Sequence, residues 1–328
     1  MAFLGIRFDF RDPGLAGTST TDRYRAGLDM VEWADRQGFL LAVLSEHHGS
    51  DDGYLPSPLP MAAAFAARTT NIRLRLSALV TSLHDPLRLA EDLAVVDLIS
   101  GGRVDVTLTN GYVVDEFAMF GRPLSERARR TSEAVEVLRQ AWTGEPFSYQ
   151  GRTVRVRPAP DRPIPITLGG STPAAARRAA RIADGFSPST NDVWDAYRDE
   201  CLALGKPDPG PPMGGDTSVV HVAKDPDAVW ELIAPYAMHE TNAYAHWAEE
   251  AGIAGATSYG SFDSPESLRA SGAYRVLTPE QLVAELAPNP FGFAMFHPLL
   301  GGLPPELGWE SLRLVESDVL PALRAAAG

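Results

Sequence analysis

Strand and helix patterns alternate along most of this 328-residue chain. Eight short, mostly apolar runs have the length and the bounding turn residues of buried strands, and amphipathic helix patterns separate them. The predicted strands are residues 3–10, 39–44, 72–81, 103–108, 164–168, 185–187, 217–223 and 291–296. This alternation predicts an α/β fold with a parallel sheet covered by helices, and eight repeats favour one (β/α)8 TIM barrel over a doubly wound sheet. We therefore expect residues 1–328 to form a single barrel domain.

Two stretches interrupt the alternation. Residues 144–163 contain the pattern FSYQGRTVRVRP, which predicts a small hairpin inserted before the fifth strand. From about residue 240 to residue 276 the periodic pattern weakens while glycine and serine accumulate, which predicts a long excursion. Order returns at Thr278, where a capping box with proline at the first helical position begins a helix.

The acidic balance of the chain narrows its partners. A net charge of −13 and a pI near 5.0 argue against a nucleic-acid or anionic-membrane surface, because those partners need a basic footprint. Local arginine clusters at residues 127–130 and 177–181 fall on predicted helices, where solvated faces are the simpler interpretation. The single cysteine, Cys201, cannot form an internal disulfide and fits a reducing compartment. Since the sequence also shows no leader pattern or long apolar run, we expect a cytoplasmic protein without a membrane span.

The second predicted strand ends in polar residues that can do chemistry. Ser45, Glu46, His47 and His48 follow its apolar run directly. Loops at the carboxyl ends of parallel strands line ligand sites, so His47 and His48 are candidate catalytic residues, although one of such a pair often only satisfies backbone carbonyls. A metal centre using both histidines, a third histidine from another strand end and Asp51 has no recognised ligand spacing, and we predict no metal. Other histidines near strand ends are expected to have local partners: His84, His221 and His297.

The fifth predicted strand ends in a candidate anion pocket. Gly169, Gly170 and Ser171 follow the strand, and Thr172 with Pro173 begins a helix. Free N–H groups at a helix N-terminus, close backbone approach at glycine and a serine hydroxyl together suit a phosphate, although an ordinary strand-to-helix turn has the same residues. The sequence contains neither a dinucleotide-binding glycine fingerprint after a strand nor a Walker loop, so NAD or ATP of the usual kinds is not indicated.

Eight groups of motifs follow one another in the chain: SEHH at 45–48, PMAAAFAART at 60–69, HDPLRLAE at 84–91, DLISGGR at 97–103, EF and FG at 116–121, WTGEP at 142–146, GGLP at 301–304 and VLPAL at 319–323. In this order they resemble the motifs of the bacterial luciferase-like flavin-dependent monooxygenases. The resemblance covers nearly the whole chain. It implies a (β/α)8 barrel holding reduced FMN, delivered by a separate flavin reductase, at the carboxyl ends of the strands. In that family O2 and the flavin form a C4a-hydroperoxide that oxidises a small organic substrate.

The resemblance also assigns roles to individual residues. His47 matches the histidine linked to acid/base work, His48 is its neighbour in the motif, and Ser171 matches the serine that holds the flavin phosphate. The residues expected to bind the cofactor are Ser82, Thr109, Asn110, Gly111, Gly169, Gly170, Ser171 and Thr172. A homodimer through the helix at 61–69 and the helix after Pro86 is also implied, as is a lid from residue 240 to residue 274.

Two departures from the family pattern bear on the cofactor. Asn110 stands where the family often has an arginine that grips the phosphate, and Thr109 stands where the light-emitting members have cysteine, so light emission is not expected. Branches that use the deazaflavin coenzyme F420 commonly lack that arginine. A deazaflavin-dependent hydride-transferring oxidoreductase is therefore the main alternative to an FMN enzyme, and a non-catalytic flavin-binding or partner subunit is a second.

Overall fold

Nine parallel strands form the main sheet of the computed structural model, which describes residues 2–212, 218–255, 259–289 and 291–326. The strands are β1 (Phe3–Phe8), β2 (Leu41–Leu44), β3 (Arg73–Val80), β4 (Val104–Thr109), β7 (Ile166–Gly170), β8 (Gly185–Pro188), β9 (Val219–Val222), β10 (Tyr274–Leu277) and β11 (Phe293–Phe296). Two further strands, β5 (Phe147–Tyr149) and β6 (Arg152–Val154), pair antiparallel as the predicted hairpin, which is thereby confirmed.

Helices follow the parallel strands. They are α1 (Thr20–Gln37), α2 (Pro58–Arg68), α3 (Pro86–Ser100), α4 (Val114–Met119), α5 (Arg127–Ala141), α6 (Pro173–Ile182), α7 (Trp194–Ala203), α8 (Pro226–Glu250), α9 (Pro265–Ser271), α10 (Pro279–Leu286), α11 (Pro305–Leu314) and α12 (Leu320–Ala326). The predicted helix starts at Thr172 and Thr278 are confirmed, because each threonine hydroxyl accepts a hydrogen bond from a backbone N–H of the first turn.

The strands curve around a common interior. Backbone pairing orders them β10-β9-β11-β1-β2-β3-β4-β7-β8. Every strand contributes to the lining of one cavity, including both ends of the sheet: Arg7, Val43, Ser77, Thr107, Gly169, Ser187, Val219, Tyr274 and Met295. An open, doubly wound sheet has helices on both faces and cannot enclose a cavity of this kind. The predicted barrel is therefore confirmed, and the main apolar core lies between its outer face and the helices.

The long excursion was only partly predicted correctly. The apolar pattern weakens from Glu240 because this charged residue is buried on the inner side of α8. The helix nevertheless continues to Glu250. Strand β10, which the sequence pattern missed, pairs with β9 and becomes the ninth strand of the sheet. Residues 256–258 of the predicted lid, like residue 217 of the seventh predicted strand, lie outside the described residues.

In the described parts of the chain, the helices are all too short or too polar to cross a lipid bilayer.

Candidate active site

The cavity enclosed by the strands is the candidate active site. Its volume is about 760 Å³, which is in the range of sites for small molecules and cofactors. It is lined by residues at the carboxyl ends of β2, β3, β4, β7 and β8, where the sequence predicted a ligand site, and it extends into the barrel interior as far as Phe293 and Met295 of β11.

His47 lines this cavity and is held by a carboxylate. Its Nδ1 lies 2.8 Å from Oε1 of Glu116, a buried residue in the first turn of α4. The same Oε1 accepts a hydrogen bond of 2.9 Å from the backbone N–H of His48. Because a carboxylate can only accept, this contact places a proton on Nδ1 and leaves Nε2 of His47 for a ligand. The second Glu116 oxygen, Oε2, is buried without a hydrogen-bond partner among the residues that the structure describes.

Aromatic rings surround His47. Trp247 stacks on the imidazole with 4.6 Å between ring centroids, and Tyr54 meets it edge-on at 4.8 Å. Tyr244 also contacts the ring at 5.4 Å, and its hydroxyl lies 2.8 Å from that of Tyr54. Tyr244 and Trp247 come from the part of α8 that was expected to be an excursion. Sequence reasoning missed them because they lie about 200 residues from His47 in the chain.

His48 joins a different cluster, centred on the carboxylate of Glu46. Its Nε2 lies 2.8 Å from Oε1 of Glu46, and Nε2 of His84 lies 2.7 Å from the same oxygen. The other Glu46 oxygen accepts a hydrogen bond from the backbone N–H of Val80. The two adjacent histidines therefore do not converge on one ion. Of the two candidate catalytic histidines, His47 lines the cavity, whereas the ring of His48 is directed to Glu46 and is not part of the lining.

The electrostatics of this second cluster are strongly coupled. Burial raises the pKa of Glu46, but hydrogen bonds from His48 and His84 outweigh it and lower the pKa to about 2. Burial lowers the pKa of His84, and the Glu46 carboxylate reverses this and raises it above its ordinary value. The prediction that His84 has a local partner is confirmed, and that partner is Glu46.

The predicted cofactor residues gather at the ends of β4 and β7. Thr109, Gly111, Gly169 and Gly170 line the cavity. Gly111 has a φ of +74°, and a Cβ at this position would lie 2.5 Å from a methyl group of Val80. Only glycine fits there without rearrangement, so the turn that follows β4 depends on this residue.

The remaining predicted cofactor residues lie beside the cavity. Ser82 is buried, and its hydroxyl donates to the backbone carbonyl of Asn110 at 2.6 Å. The Thr172 hydroxyl accepts from the N–H of Ala175 as the N-cap of α6. Ser171 is half-buried between cavity-lining Gly170 and this cap. Ser82 and Thr172 therefore have structural hydrogen bonds, and Thr172 is exposed while Ser171 is half-buried.

Three arginines near this end of the site are half-buried. Arg178 of α6 donates to Oδ1 of Asn110 at 2.9 Å, and Arg130 of α5 donates to the carbonyl of Ser82 at 2.7 Å. Burial lowers the pKa of Arg178, and the nearby charge of Arg127 lowers it further. The interpretation of these arginines as solvated faces is therefore wrong for Arg127, Arg130 and Arg178, which are half-buried. It is correct for Arg129, which forms exposed ion pairs.

A buried charge network lies behind β1. Asp9, Glu240 and His297 place their ligand atoms within 4.8 Å of one another, as a metal site would. Arg7 already pairs with Glu240 at 2.7 Å, and the ring nitrogens of His297 lie 3.5 and 3.6 Å from Asp9 and Glu240. Burial lowers the pKa of His297, but both carboxylates reverse this and raise it. Cationic side chains thus balance these acids.

Comparison with known proteins gives two kinds of relatives. The F420-dependent glucose-6-phosphate dehydrogenase of Nakamurella multipartita is 31% identical over 185 residues, which is 53% of this chain and 55% of that protein. The chain spans about half the length of the curated relatives it matches. The monooxygenase RslO1 from Streptomyces bottropensis is 28% identical with a TM-score of 0.71, covering 97% of this chain and 99% of that one.

A third comparison supports the fold. The oxygenating constituent of 3,6-diketocamphane monooxygenase from Pseudomonas putida, a type II Baeyer-Villiger monooxygenase solved in complex with FMN, has a TM-score of 0.70 at 17% identity, covering 98% of each chain. The family model for luciferase-like monooxygenases matches residues 4–288. Because this match covers most of the chain, the protein belongs to the luciferase-like monooxygenase family.

Proposed function

We propose that the protein is an FMN-dependent monooxygenase that oxidises a small organic substrate with O2. The observation that carries the proposal is the position of His47, which lines the cavity, is oriented by Glu116 and is surrounded by aromatic rings. A histidine in such a place can hold or move a proton at a reacting atom. The FMN complex of the oxygenating constituent of 3,6-diketocamphane monooxygenase, which has the same fold, agrees with this proposal.

The residues present fit FMN. The cavity volume suits a ligand of this size, and Gly111 and Gly170, which line it, present backbone without a side chain near the ends of β4 and β7. A phosphate group needs positive charge, and the family arginine is replaced here by Asn110. Arg178 brings a guanidinium to Asn110 from the side, with Arg127 close enough to lower its pKa. We infer that these arginines, Ser171 and the N-terminus of α6 would hold the phosphate.

Reduced FMN, when bound, would supply the electrons that activate O2. The side chains of the protein would hold a proton at the reacting atom and exclude water. Glu116 fixes the proton on Nδ1 of His47, so that Nε2 is the atom that accepts or donates a proton on the cavity side. Tyr54, Tyr244 and Trp247 pack around the imidazole and would limit the access of water to it.

The second candidate function is deazaflavin-dependent hydride transfer. It is favoured by Asn110 and by the similarity to a dehydrogenase that depends on coenzyme F420. A non-catalytic flavin-binding or partner subunit is a weaker alternative, since the His47–Glu116 pair has the arrangement of an acid/base residue.

Cofactor titration separates these functions. The wild-type protein is titrated with FMN, riboflavin and coenzyme F420, and the same titrations are repeated with Arg178→Gln and with Arg177→Gln as the exposed control. We expect FMN to bind most tightly. Arg178→Gln should weaken FMN about tenfold through loss of a charge-assisted hydrogen bond, and should leave riboflavin, which has no phosphate, unaffected. Binding of the deazaflavin alone would contradict the FMN proposal.

We also propose two protein partners, a flavin reductase and a second copy of this chain. A separate reductase would deliver reduced FMN, and the protein would act in the cytoplasm as a homodimer. Val95 and Ile99 of α3 are exposed apolar residues on one of the two helices that were expected to form the dimer interface.

A further inference from the structure

The interior of this barrel is unusually polar on one side. Along β3, Leu74 and Leu76 are buried against the helices, while the alternate residues Arg73, Arg75 and Ser77 lie on the opposite, inner face. On β4, Asp105 and Thr107 are the register partners of Arg75 and Ser77. Barrels of this class usually fill their interior with bulky branched side chains. Here charged and hydroxyl groups face a cavity instead, which indicates a surface for a polar ligand.

Arg75 lines the cavity with a charge that is only weakly compensated. Asp105 is the carboxylate nearest to it among the described side chains, and both oxygens of Asp105 are taken by Arg73 at 2.8 and 2.5 Å. The separation between Arg75 Nη2 and Asp105 Oδ2 is 3.9 Å, too long for a hydrogen bond. The Arg75 side chain is 46% exposed and lines the cavity, so its donors remain available to a ligand.

The other charges that line the cavity are already paired. Arg7 lies at the same level as Arg75, since both are register partners of Val43, but it is bound to Glu240 at 2.7 Å. The two carboxylates of the lining, Glu46 and Glu116, are occupied by histidines. Arg75 is therefore the charge around which an anion would be favoured, and the surrounding protein strengthens this field relative to open water.

We propose that Arg75 selects an organic substrate that carries a carboxylate. A guanidinium offers two parallel N–H groups that match the two oxygens of this anion. Val43 is the register partner of Arg75, and His47 follows it by four residues. At the rise of a strand, Arg75 and His47 therefore lie roughly 10–13 Å apart along the barrel axis. The acid group of the substrate is thus remote from the carbon that reacts beside His47. The reaction beside His47 rests on the proposed function, but binding of a carboxylate by Arg75 can be measured without turnover.

The test compares acids with neutral analogues of the same shape. Octanoate, phenylacetate and 3-phenylpropionate are each paired with the primary amide, and binding is measured by calorimetry without flavin and with saturating oxidised FMN. The proteins are the wild type, Arg75→Gln, the charge-retaining Arg75→Lys, and Arg25→Gln as a control at a position where the side chain is 73% exposed on α1. Thermal unfolding of each variant verifies that it is folded.

We expect at least one acid to bind the wild type roughly 10- to 100-fold more tightly than its amide. Arg75→Gln should abolish this preference, Arg75→Lys should retain part of it, and Arg25→Gln should leave it intact. The proposal is wrong if every acid and amide bind alike, or if the preference survives in Arg75→Gln.

The FMN titration identifies the role of Arg75 if the proposal fails. An acid–amide preference that survives in Arg75→Gln, together with weaker binding of oxidised FMN to this variant, would mean that Arg75 serves the flavin and not the substrate. Failure of FMN to bind at all would contradict the proposed function, and the acid–amide comparison without flavin would still decide the role of Arg75.

Discussion

His47 and His48 are neighbours in the chain, yet they belong to two different clusters. His47 turns into the cavity, where it meets Glu116, a residue 69 positions away, and the aromatic rings of α8. His48 shares Glu46 with His84. One motif at a strand end thus supplies both a residue that lines the cavity and a residue that holds neighbouring segments of the barrel together.

The supporting cluster, which consists of Glu46, His48 and His84, joins three segments of the barrel. Glu46 follows β2, accepts from the backbone N–H of Val80 at the end of β3, and binds His84 just before α3. Because these contacts are buried and partly ionic, they fix the ends of the two strands relative to each other. The His47 cluster by contrast includes a buried acceptor, Glu116 Oε2, whose hydrogen bond is unmade within the described structure. Such a group is expected where a ligand completes the site.

The largest expected effect separates the two histidines by activity. His47→Gln should lower kcat by about 10²- to 10⁴-fold, because it removes the proton-transferring group and keeps a polar side chain of similar size. His48→Gln should lower kcat much less and act mainly on stability. Turnover and thermal unfolding of both variants test this difference. An equal loss of kcat in the two variants would show that the proposed division between the clusters does not exist.

The next effect concerns stability. Glu46→Gln should reduce the free energy of unfolding by about 3 kcal/mol, the equivalent of lowering a carboxyl pKa from 4.5 to about 2. The matched variant Glu116→Gln changes the carboxylate that binds His47, and it should reduce the free energy of unfolding by less. Urea denaturation of both variants provides the measurement, and a smaller loss for Glu46→Gln would contradict the supporting role of its cluster.

The stability difference between wild type and Glu46→Gln should depend on pH. The pKa of Glu46 is lowered by folding, so its contribution is present above the unfolded value of 4.5 and is lost as pH falls toward 2. The pKa of His84 is raised, so its contribution is present below the ordinary value of 6.5 and is lost as pH rises through the higher folded value. The stability difference should therefore be largest between pH 4.5 and pH 6.5, where both contributions are present. A difference that is constant from acid to alkaline pH would sink this account of the cluster.

The smallest expected effect is on the orientation of His47. Glu116→Gln should lower kcat by about 10- to 100-fold, less than His47→Gln, because the imidazole remains but its proton is no longer fixed on Nδ1. The double variant should be no slower than His47→Gln alone, since Glu116 acts through His47. Single-turnover rates of the three variants measure this coupling, and additive losses would mean that Glu116 acts independently.

Much of the architecture could be predicted because the outer face of the sheet follows apolar periodicity. Elements that face the cavity were harder to predict. Glu240 breaks the apolar stripe of α8, so the helix looked like the start of an excursion. In β10 only Tyr274 is buried, so this strand lacks the pattern of a buried strand. Glu116 and Trp247 reach His47 only through the fold. Arg75 was within reach of sequence analysis, because arginine and leucine alternate in the run Arg73 to Leu76.

The central claim is that His47, and not His48, faces the bound flavin. It is tested most directly by recording long-range ¹H–¹⁵N spectra of the histidine rings during titration with FMN, with assignment from His47→Gln and His48→Gln. The account predicts that the ring signals of His47 shift to saturation at one FMN per chain, while those of His48 stay in place. Saturating FMN that shifts His48 and leaves His47 unchanged would contradict it.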